Sequence, residues 1–177
     1  MQEVAQNAIL NEDNILLLSP TGSGKTLAFL LPIFQLLEED VKGVQCIILV
    51  PSRELGLQIE QVWKKMGTHY KVNTCYGGHS IDIEINNLSN PPALLIGTPG
   101  RIADHLDRGS FATDKIKTYV LDEFDKSLQL GFHEEMEFII SKLKNIEKKI
   151  LTSATDSTSL PEFFNIKNPH HLNFIVQ

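Results

Sequence analysis

Residues Ser19–Thr26 read SPTGSGKT, and they form the most informative motif of this chain. It follows the apolar run Ile15–Leu18, which is typical of a buried strand, and it leads into Leu27–Leu31, whose pattern indicates a helix. Strand, glycine-rich loop and helix in this order bind phosphate, because backbone N–H groups and the helix N-terminus face the anion. The general pattern begins with glycine, whereas this chain has Ser19. The stretch predicts a site for a nucleoside triphosphate.

The last two residues of this phosphate loop have separate expected tasks. The ammonium group of Lys25 can reach the terminal phosphates, and the hydroxyl of Thr26 is placed to hold Mg²⁺. The residues expected to contact the nucleotide are Thr21, Gly22, Ser23, Gly24, Lys25 and Thr26. The alternative is an ordinary glycine- and serine-rich turn before a helix, and the flanking strand argues against it.

The composition fits one domain over residues 1–177, because 42% of its residues are hydrophobic and can form a core. The net charge is −6 and the pI is about 5.5, so no basic surface indicates a nucleic acid. Any contact with nucleic acid must therefore be local and depend on few cations.

Cysteine usage and hydropathy bear on the cellular compartment. Cys46 and Cys75 lie in apolar runs without CxxC spacing, which predicts reduced core thiols and no structural zinc. Met1–Glu3 has neither the positive charge nor the apolar run of a signal peptide, and no stretch reaches the length of a membrane span. We expect a cytoplasmic protein without a membrane partner.

Apolar runs that resemble strands recur between helical patterns along the whole chain. They are Ile15–Leu18, Cys46–Val50, Val72–Cys75, Ala93–Ile96, Tyr119–Leu121, Ile150–Thr152 and Phe174–Val176. Strands that are apolar throughout are buried on both faces, and their alternation with helices is typical of a parallel sheet. The sequence therefore predicts an α/β fold, with a mainly parallel sheet and helices on both faces.

A second chemical signal is the acidic run Asp122–Asp125, which reads DEFD and follows Tyr119–Leu121. A carboxylate at the end of a buried strand can hold Mg²⁺, and its neighbour can polarise a water for attack on the γ-phosphate. We assign the metal role to Asp122 and the water role to Glu123. Alone, the run also fits a solvated acidic turn, and the phosphate loop favours the catalytic interpretation.

A third signal, Ser153-Ala154-Thr155, closes the strand pattern at Ile150–Thr152. The hydroxyls of Ser153 and Thr155 can bond to Asp125 and sense the state of the nucleotide. This tripeptide is common, so it carries weight only beside the other motifs.

Six motifs follow one another along the chain: SPTGSGKT at Ser19–Thr26, PSREL at Pro51–Leu55, the pair Gly77–Gly78, TPGR at Thr98–Arg101, DEFD at Asp122–Asp125 and SAT at Ser153–Thr155. In this order, they resemble the N-terminal RecA-like domain of DEAD-box ATP-dependent RNA helicases, the helicase ATP-binding domain. The resemblance implies a three-layer RecA-like P-loop NTPase domain that uses ATP and Mg²⁺. It implies catalytic roles for Lys25, Asp122, Glu123, Ser153 and Thr155. The chain departs from the family pattern at Ser52, Gly56 and Phe124.

The resemblance also implies an RNA track. Its members are Ser52, Arg53, Gly78, Thr98 and Arg101. Amides, hydroxyls and guanidinium groups hold phosphate and sugar without reading bases. Ser52 is in addition expected to cap a helix, and Thr98–Arg101 to form a proline turn before one. Gln2 lies at the family's distance from Lys25 for reading adenine; a frayed terminus is the alternative.

The resemblance also implies a second RecA-like domain in cis, which residues 1–177 lack. That domain would carry the arginine finger and half of the RNA groove. The isolated half is then expected to be inactive or nearly so. Leu172–Val176 resembles the last strand of the first domain. His170–His171 is not expected to bind metal, since adjacent strand residues point to opposite faces.

The implied activity is the ATP-binding and hydrolysing half of an RNA helicase, which couples ATP to binding and local unwinding of RNA duplexes. A DNA-directed helicase of the same superfamily is one alternative, favoured by Ser19–Pro20 and Phe124 and opposed by Gln2 and Thr98–Arg101. A small phosphate-loop kinase is another, but a kinase lid needs several arginines, and after position 101 this chain has Arg108.

Overall fold

A seven-stranded sheet organises the computed structural model, which describes residues 2–20, 24–156 and 159–175. The strands are β1 (Asn14–Leu18), β2 (Cys46–Leu49), β3 (Val72–Cys75), β4 (Leu94–Gly97), β5 (Thr118–Leu121), β6 (Lys148–Ser153) and β7 (His170–Asn173). Their order across the sheet is β3-β4-β2-β5-β6-β1-β7, and every pairing in it is parallel. The predicted parallel α/β fold is confirmed.

Helices connect the strands and cover the sheet. They are α1 (Gln2–Asn11), α2 (Lys25–Leu36), α3 (Arg53–Lys65), α4 (Ile81–Leu88), α5 (Pro99–Arg108), α6 (Phe124–Gln129) and α7 (His133–Lys142), with a 3₁₀ turn at Glu162–Phe164. Ser52 caps α3 as expected, because its Oγ accepts a hydrogen bond from the N–H of Leu55 at 3.3 Å. Pro99 occupies the first turn of α5, where a missing N–H costs little.

Two hydrophobic cores lie on the two faces of the sheet. Alternate residues of β1 divide between them, Leu17 packing into the first core and Leu16 into the second. The first core includes Phe29 of α2 and Trp63 of α3, whereas the second includes Ile102 of α5. These layers, helix on sheet on helix, are the three layers that the sequence predicts.

The last strand lies earlier in the chain than predicted. The sequence favours Phe174–Val176, or Leu172–Val176, because these residues are apolar, yet β7 spans His170–Asn173. Pairing sets this position, since β7 runs beside β1 from the Ile15–His170 pair to the Leu18–Asn173 pair. A strand at the edge of a sheet buries few of its side chains, and among the residues of β7 only Leu172 is buried. A run of apolar residues is therefore not needed there and does not indicate where the strand lies. Val176 lies outside the described residues.

All strands point the same way, so their carboxyl ends meet at one edge of the sheet, which is where α/β folds bind ligands. The phosphate loop follows β1, the acidic run follows β5, and Thr98–Arg101 follows β4. This edge therefore gathers the predicted site residues.

The free thiols of Cys46 and Cys75 are both buried. Burial is also why the pKa of each thiol is raised, that of Cys75 to about 12. In the part of the chain that the structure describes, no helix combines the length and the apolar character needed to cross a membrane.

Candidate nucleotide site and RNA-facing edge

Lys25 begins α2 and places its ammonium group between two carboxylates. Nζ lies 3.3 Å from Oε1 of Glu123 and 3.7 Å from Oδ1 of Asp122. All three side chains are buried. Charges removed from water are stable only with close partners, so the cation and the two acids depend on one another. The structure thus brings together residues of the phosphate loop and the acidic run.

Asp122 keeps one carboxylate oxygen available. Its Oδ1 accepts a hydrogen bond from the hydroxyl of Thr152, while its buried Oδ2 has no hydrogen-bond partner among the described residues. Burial raises the pKa of Asp122, and the opposing effects of Lys25 and Thr152 do not cancel the rise. Oxygen ligands of this kind suit Mg²⁺. The donor set of Asp122 Oδ2 with the Thr26 hydroxyl, in the first turn of α2, fits that ion.

Glu123 is held in an uncommon backbone conformation. Its φ is 53°, in the left-handed region, and its N–H donates to Oγ1 of Thr152 at 2.8 Å. Such a conformation costs on the order of 1 kcal/mol for a residue with a side chain, and it concentrates at functional sites. Thr152 therefore fixes both acids, through the carboxylate of Asp122 and the backbone of Glu123.

Phe124 is buried in the second core and does not line the nucleotide site. Its ring meets that of Phe164 edge to face, with centroids 5.8 Å apart. Aromatic pairs of this geometry add stability beyond the area they bury. The departure from the family pattern at Phe124 therefore anchors the acidic run to the core.

The third motif reaches Asp125 through one of its two hydroxyls. Thr155 Oγ1 donates to Oδ2 of Asp125 at 3.5 Å. Ser153 Oγ donates to the carbonyl of Thr155 at 2.9 Å and accepts from its N–H at 3.1 Å. Ser153 thus shapes the turn that brings Thr155 to Asp125, and a role in sensing the nucleotide stays a prediction.

Gln2 lies against the end of the phosphate loop. Its Nε2 is 3.2 Å from the position that a Cβ on Gly24 would occupy, and Gly24 has a φ of 82° that favours glycine. The predicted contacts of Thr21–Ser23 lie outside the described residues. Recognition of adenine by Gln2 stays a prediction.

On the other half of the edge, Arg53 approaches Gly78. Nη1 of Arg53 lies 3.7 Å from the position of a Cβ on Gly78, whose φ is 95°. The guanidinium also lies over the ring of Tyr76, 5.5 Å from its centroid. Ser52 is the residue before Arg53, so the structure brings three members of the predicted RNA track together.

Arg101, the second predicted RNA cation, is held by a buried acid. Its Nε donates to Oε1 of Glu84 at 2.7 Å, and its Nη2 donates to the carbonyl of His79 at 2.7 Å. The side chain is 14% exposed. Thr98, at the start of the same loop, donates its N–H to the carbonyl of Cys75 at 3.2 Å. Arg101 is thus much less free than Arg53.

Comparison with known proteins identifies the family. The family model for DEAD/DEAH box helicases matches residues 1–163. This chain belongs to that family. It is 38% identical over 150 residues to the ATP-dependent RNA helicase DeaD of Escherichia coli strain K12, and 38% identical over 157 residues to the ATP-dependent RNA helicase CshA of Limosilactobacillus reuteri. The family resemblance predicted from the motifs is confirmed.

The solved structures agree. A crystal structure of a DEAD box protein from the hyperthermophile Methanococcus jannaschii is similar with a TM-score of 0.82 at 36% identity, covering 92% of this chain and 44% of that one. The alignments with DeaD and CshA cover 83% and 88% of this chain but only 24% and 32% of those relatives. The RecA-like fold of a DEAD-box domain is thereby confirmed, over a fraction of the relatives' length.

Sequence reasoning missed two residues of this DEAD-box domain. Thr152 looks like an ordinary strand residue, and only the pairing of β5 with β6 places it beside Asp122. Glu84 looks like a solvated acid near the start of a helix, yet it is buried against Arg101. A signal for Thr152 exists in its position directly before Ser153, whereas Glu84 offers none.

Proposed function

We propose that this chain is the ATP-binding and hydrolysing half of an RNA helicase that couples ATP to RNA binding and to local unwinding of duplexes. The observation that carries the proposal is the meeting of Lys25, Asp122 and Glu123 at the end of a phosphate-loop strand. The relatives named above are ATP-dependent RNA helicases, which supports this activity.

The nucleotide phosphates are proposed to displace Lys25 from its carboxylates. The lysine then contacts the β- and γ-phosphates, Gly24 and the rest of the loop offer N–H groups, and Gln2 holds the adenine. Asp122 and Thr26 would hold Mg²⁺, which supplies positive charge beside the phosphates when it is bound.

Hydrolysis needs a water in line with the γ-phosphate. When Lys25 turns to the phosphates, Glu123 loses its closest buried cation and becomes a better acceptor for a proton from that water. Thr152 keeps Glu123 in place through its bond to the Glu123 N–H. Ser153 and Thr155 are proposed to sense the outcome through Asp125.

A second RecA-like domain is proposed to act with this one in cis. The chain spans 24% and 32% of the length of DeaD and CshA, which leaves room for it in proteins of this type. An arginine finger from that domain is worth roughly 10³–10⁵ in rate. Residues 1–177 alone should therefore hydrolyse ATP hardly at all.

RNA is proposed to lie along Ser52, Arg53, Gly78, Thr98 and Arg101 and to be held by its backbone. The proposed contacts touch phosphate and sugar, so binding should not depend on base sequence. The free thiols fit a reducing compartment, and we propose the cytoplasm.

ATP turnover with and without single-stranded RNA tests this function. We expect almost no turnover by residues 1–177, and RNA-stimulated turnover that Glu123→Gln abolishes in a protein that includes the second domain. Robust turnover by residues 1–177 alone, abolished by Glu123→Gln, would contradict the two-domain mechanism. Stimulation by DNA in place of RNA would favour a DNA helicase, and transfer of phosphate to another acceptor would favour a kinase.

A further inference from the structure

Glu84 is a buried carboxylate that joins three segments of the RNA-facing edge. Its side chain is 3% exposed. Oε1 accepts from Nε of Arg101 and from Nε2 of His105, each at 2.7 Å, and Oε2 accepts from the N–H of Tyr76 at 2.9 Å and from Nε2 of His79. One carboxylate thus connects the end of β3, the loop that contains Gly77–Gly78, here called the glycine loop, and α5.

The same group of residues reaches the other RNA cation. The rings of Tyr76 and His79 are stacked, with centroids 4.5 Å apart and planes 6° from parallel. Arg53 lies over the Tyr76 ring. Glu84 therefore supports Arg53 through Tyr76 and holds Arg101 directly.

Glu84 keeps its charge in spite of burial. Burial opposes its ionisation, but hydrogen bonds from His105, the Tyr76 N–H, His79 and Arg101 outweigh it and lower the pKa to about 2. At neutral pH the carboxylate is therefore a permanent partner for the Arg101 guanidinium.

A metal ion is the other use that this cluster suggests. Sγ of Cys75 and ligand atoms of Glu84 and His105 lie within 4.8 Å of one another. Two features oppose it. Burial raises the pKa of the free Cys75 thiol to about 12, so its thiolate is costly to form, and the Arg101 cation already pairs with the carboxylate.

We propose that Glu84 is a positioning residue for RNA binding: without touching RNA, it fixes Arg101 and, through Tyr76, Arg53 in the geometry that receives the RNA backbone. This inference rests on the proposed RNA function. A guanidinium that is held at Nε and Nη2 loses little further freedom when its other N–H groups meet a phosphate.

The test uses the 177-residue chain with Glu84→Gln, which keeps the shape but removes two acceptor lone pairs and the charge. Asp82→Asn is the matched control, because Asp82 is an exposed acid of the same helix. Fluorescence anisotropy measures affinity for poly(U) RNA, and calorimetry measures affinity for ADP. NMR measures solvent exchange of the Arg101 Nε–H.

Glu84→Gln should weaken RNA binding about tenfold, because Arg101 is no longer positioned and its charge-assisted bond to a phosphate is lost. The affinity for ADP should stay unchanged. Asp82→Asn should not weaken RNA binding. In an Arg101→Ala background, Glu84→Gln should reduce RNA affinity far less, since both changes remove the same contact between Arg101 and RNA. Slow exchange of the Arg101 Nε–H should be lost in Glu84→Gln.

Several outcomes would overturn the proposal. The first is fast exchange of the Arg101 Nε–H in the wild type, and the second is an RNA affinity that Glu84→Gln leaves unchanged or raises. The third is that the effects of Glu84→Gln and Arg101→Ala on RNA affinity are additive. The fourth is stoichiometric zinc in the purified protein. A slowly exchanging N–H in a wild-type protein that binds no RNA even when the second domain is included would refute the proposed RNA function. It would also refute the role of Glu84 there, while leaving the contact between the two side chains intact.

Discussion

The two halves of the carboxyl edge handle buried charge in opposite ways. In the nucleotide half, Lys25 is shared between two acids, and Oδ2 of Asp122 has no hydrogen-bond partner among the described residues. In the half that holds the predicted RNA track, the single acid Glu84 receives four donors. The pKa of Asp122 is raised, whereas that of Glu84 is lowered.

This difference separates two kinds of functional group. A buried acid with spare acceptor capacity gains when a cation arrives, so it suits a ligand site. A buried acid whose acceptors are all used gains nothing from a ligand, and it suits the positioning of its donors. The Glu84 half should thus be rigid before RNA arrives, while the Asp122 half should become fully satisfied only with Mg²⁺ and nucleotide.

The largest expected effect is on stability in acid. The pKa of Glu84 falls from 4.5 in the unfolded chain to about 2 in the fold, so its contribution is complete above 4.5 and is lost as pH falls toward 2. At about 1.4 kcal/mol per pKa unit, the wild type should lose at most about 3 kcal/mol more than Glu84→Gln between about pH 6 and pH 2. Urea unfolding across this range measures it.

Asp122 should act with the opposite sign in the same titration. Because its folded pKa is raised, its ionisation opposes folding, and the stability it contributes falls as pH rises above 3.8.

The control for the Glu84→Gln titration is Glu60→Gln, since Glu60 pairs with Lys64 at 3.9 Å on the surface of α3. Equal acid sensitivity of the Glu84→Gln and Glu60→Gln variants would contradict the contrast between the halves.

The next effect concerns nucleotide affinity. Charge-assisted bonds to phosphate are worth about 1.5–3 kcal/mol, so Lys25→Ala should weaken ATP or ADP binding about ten- to a hundredfold in calorimetry. Lys126→Ala is a matched control, because Lys126 Nζ also lies 3.3 Å from Oε1 of Glu123 but its side chain is 45% exposed. If both mutations had the same effect, the phosphate contact of Lys25 would be refuted.

The smallest effect is the salt dependence of RNA binding. Two phosphate contacts, by Arg53 and Arg101, would give a log–log slope near roughly −1.4 on a single strand. Arg53→Ala and Arg101→Ala should each remove one of these contacts and flatten the slope to about −0.7. Anisotropy across a salt series measures it. A slope steeper than about −4, or discrimination between poly(U) and poly(A), would point to another binding surface.

The structure brings together the residues that the sequence assigned to a nucleotide, because they follow strands that are visible as apolar runs. Lys25 was assigned from the glycine-rich loop, and Asp122 from its place at the end of a buried strand. Thr152 was missed because strand register, not local pattern, brings it to Asp122. The strand β7 was misplaced because pairing with β1 outweighs apolarity at a sheet edge.

The half that holds the predicted RNA track is a mixed case. Arg53 and Arg101 were assigned to RNA through the family motifs, which stays a prediction, and the residues that contact these arginines were not predicted. Glu84 is buried only because α4 and α5 pack over the end of β3, and a helical acid carries no sign of that in its local sequence. The stacking of Tyr76 on His79 likewise depends on the turn made by the glycine loop between them.

The position of β1 in the sheet bears on how the chain folds during synthesis. Although β1 is made before β2 to β5, its two neighbours are β6 and β7, so that Ile15 lies opposite both Ile150 and His170. Such distant pairings form slowly, because a long loop must close before any contact compensates for its entropy. Until those strands emerge from the ribosome, both edges of the apolar β1 stay unpaired. The nascent chain should therefore bind chaperones until β6 and β7 have been made.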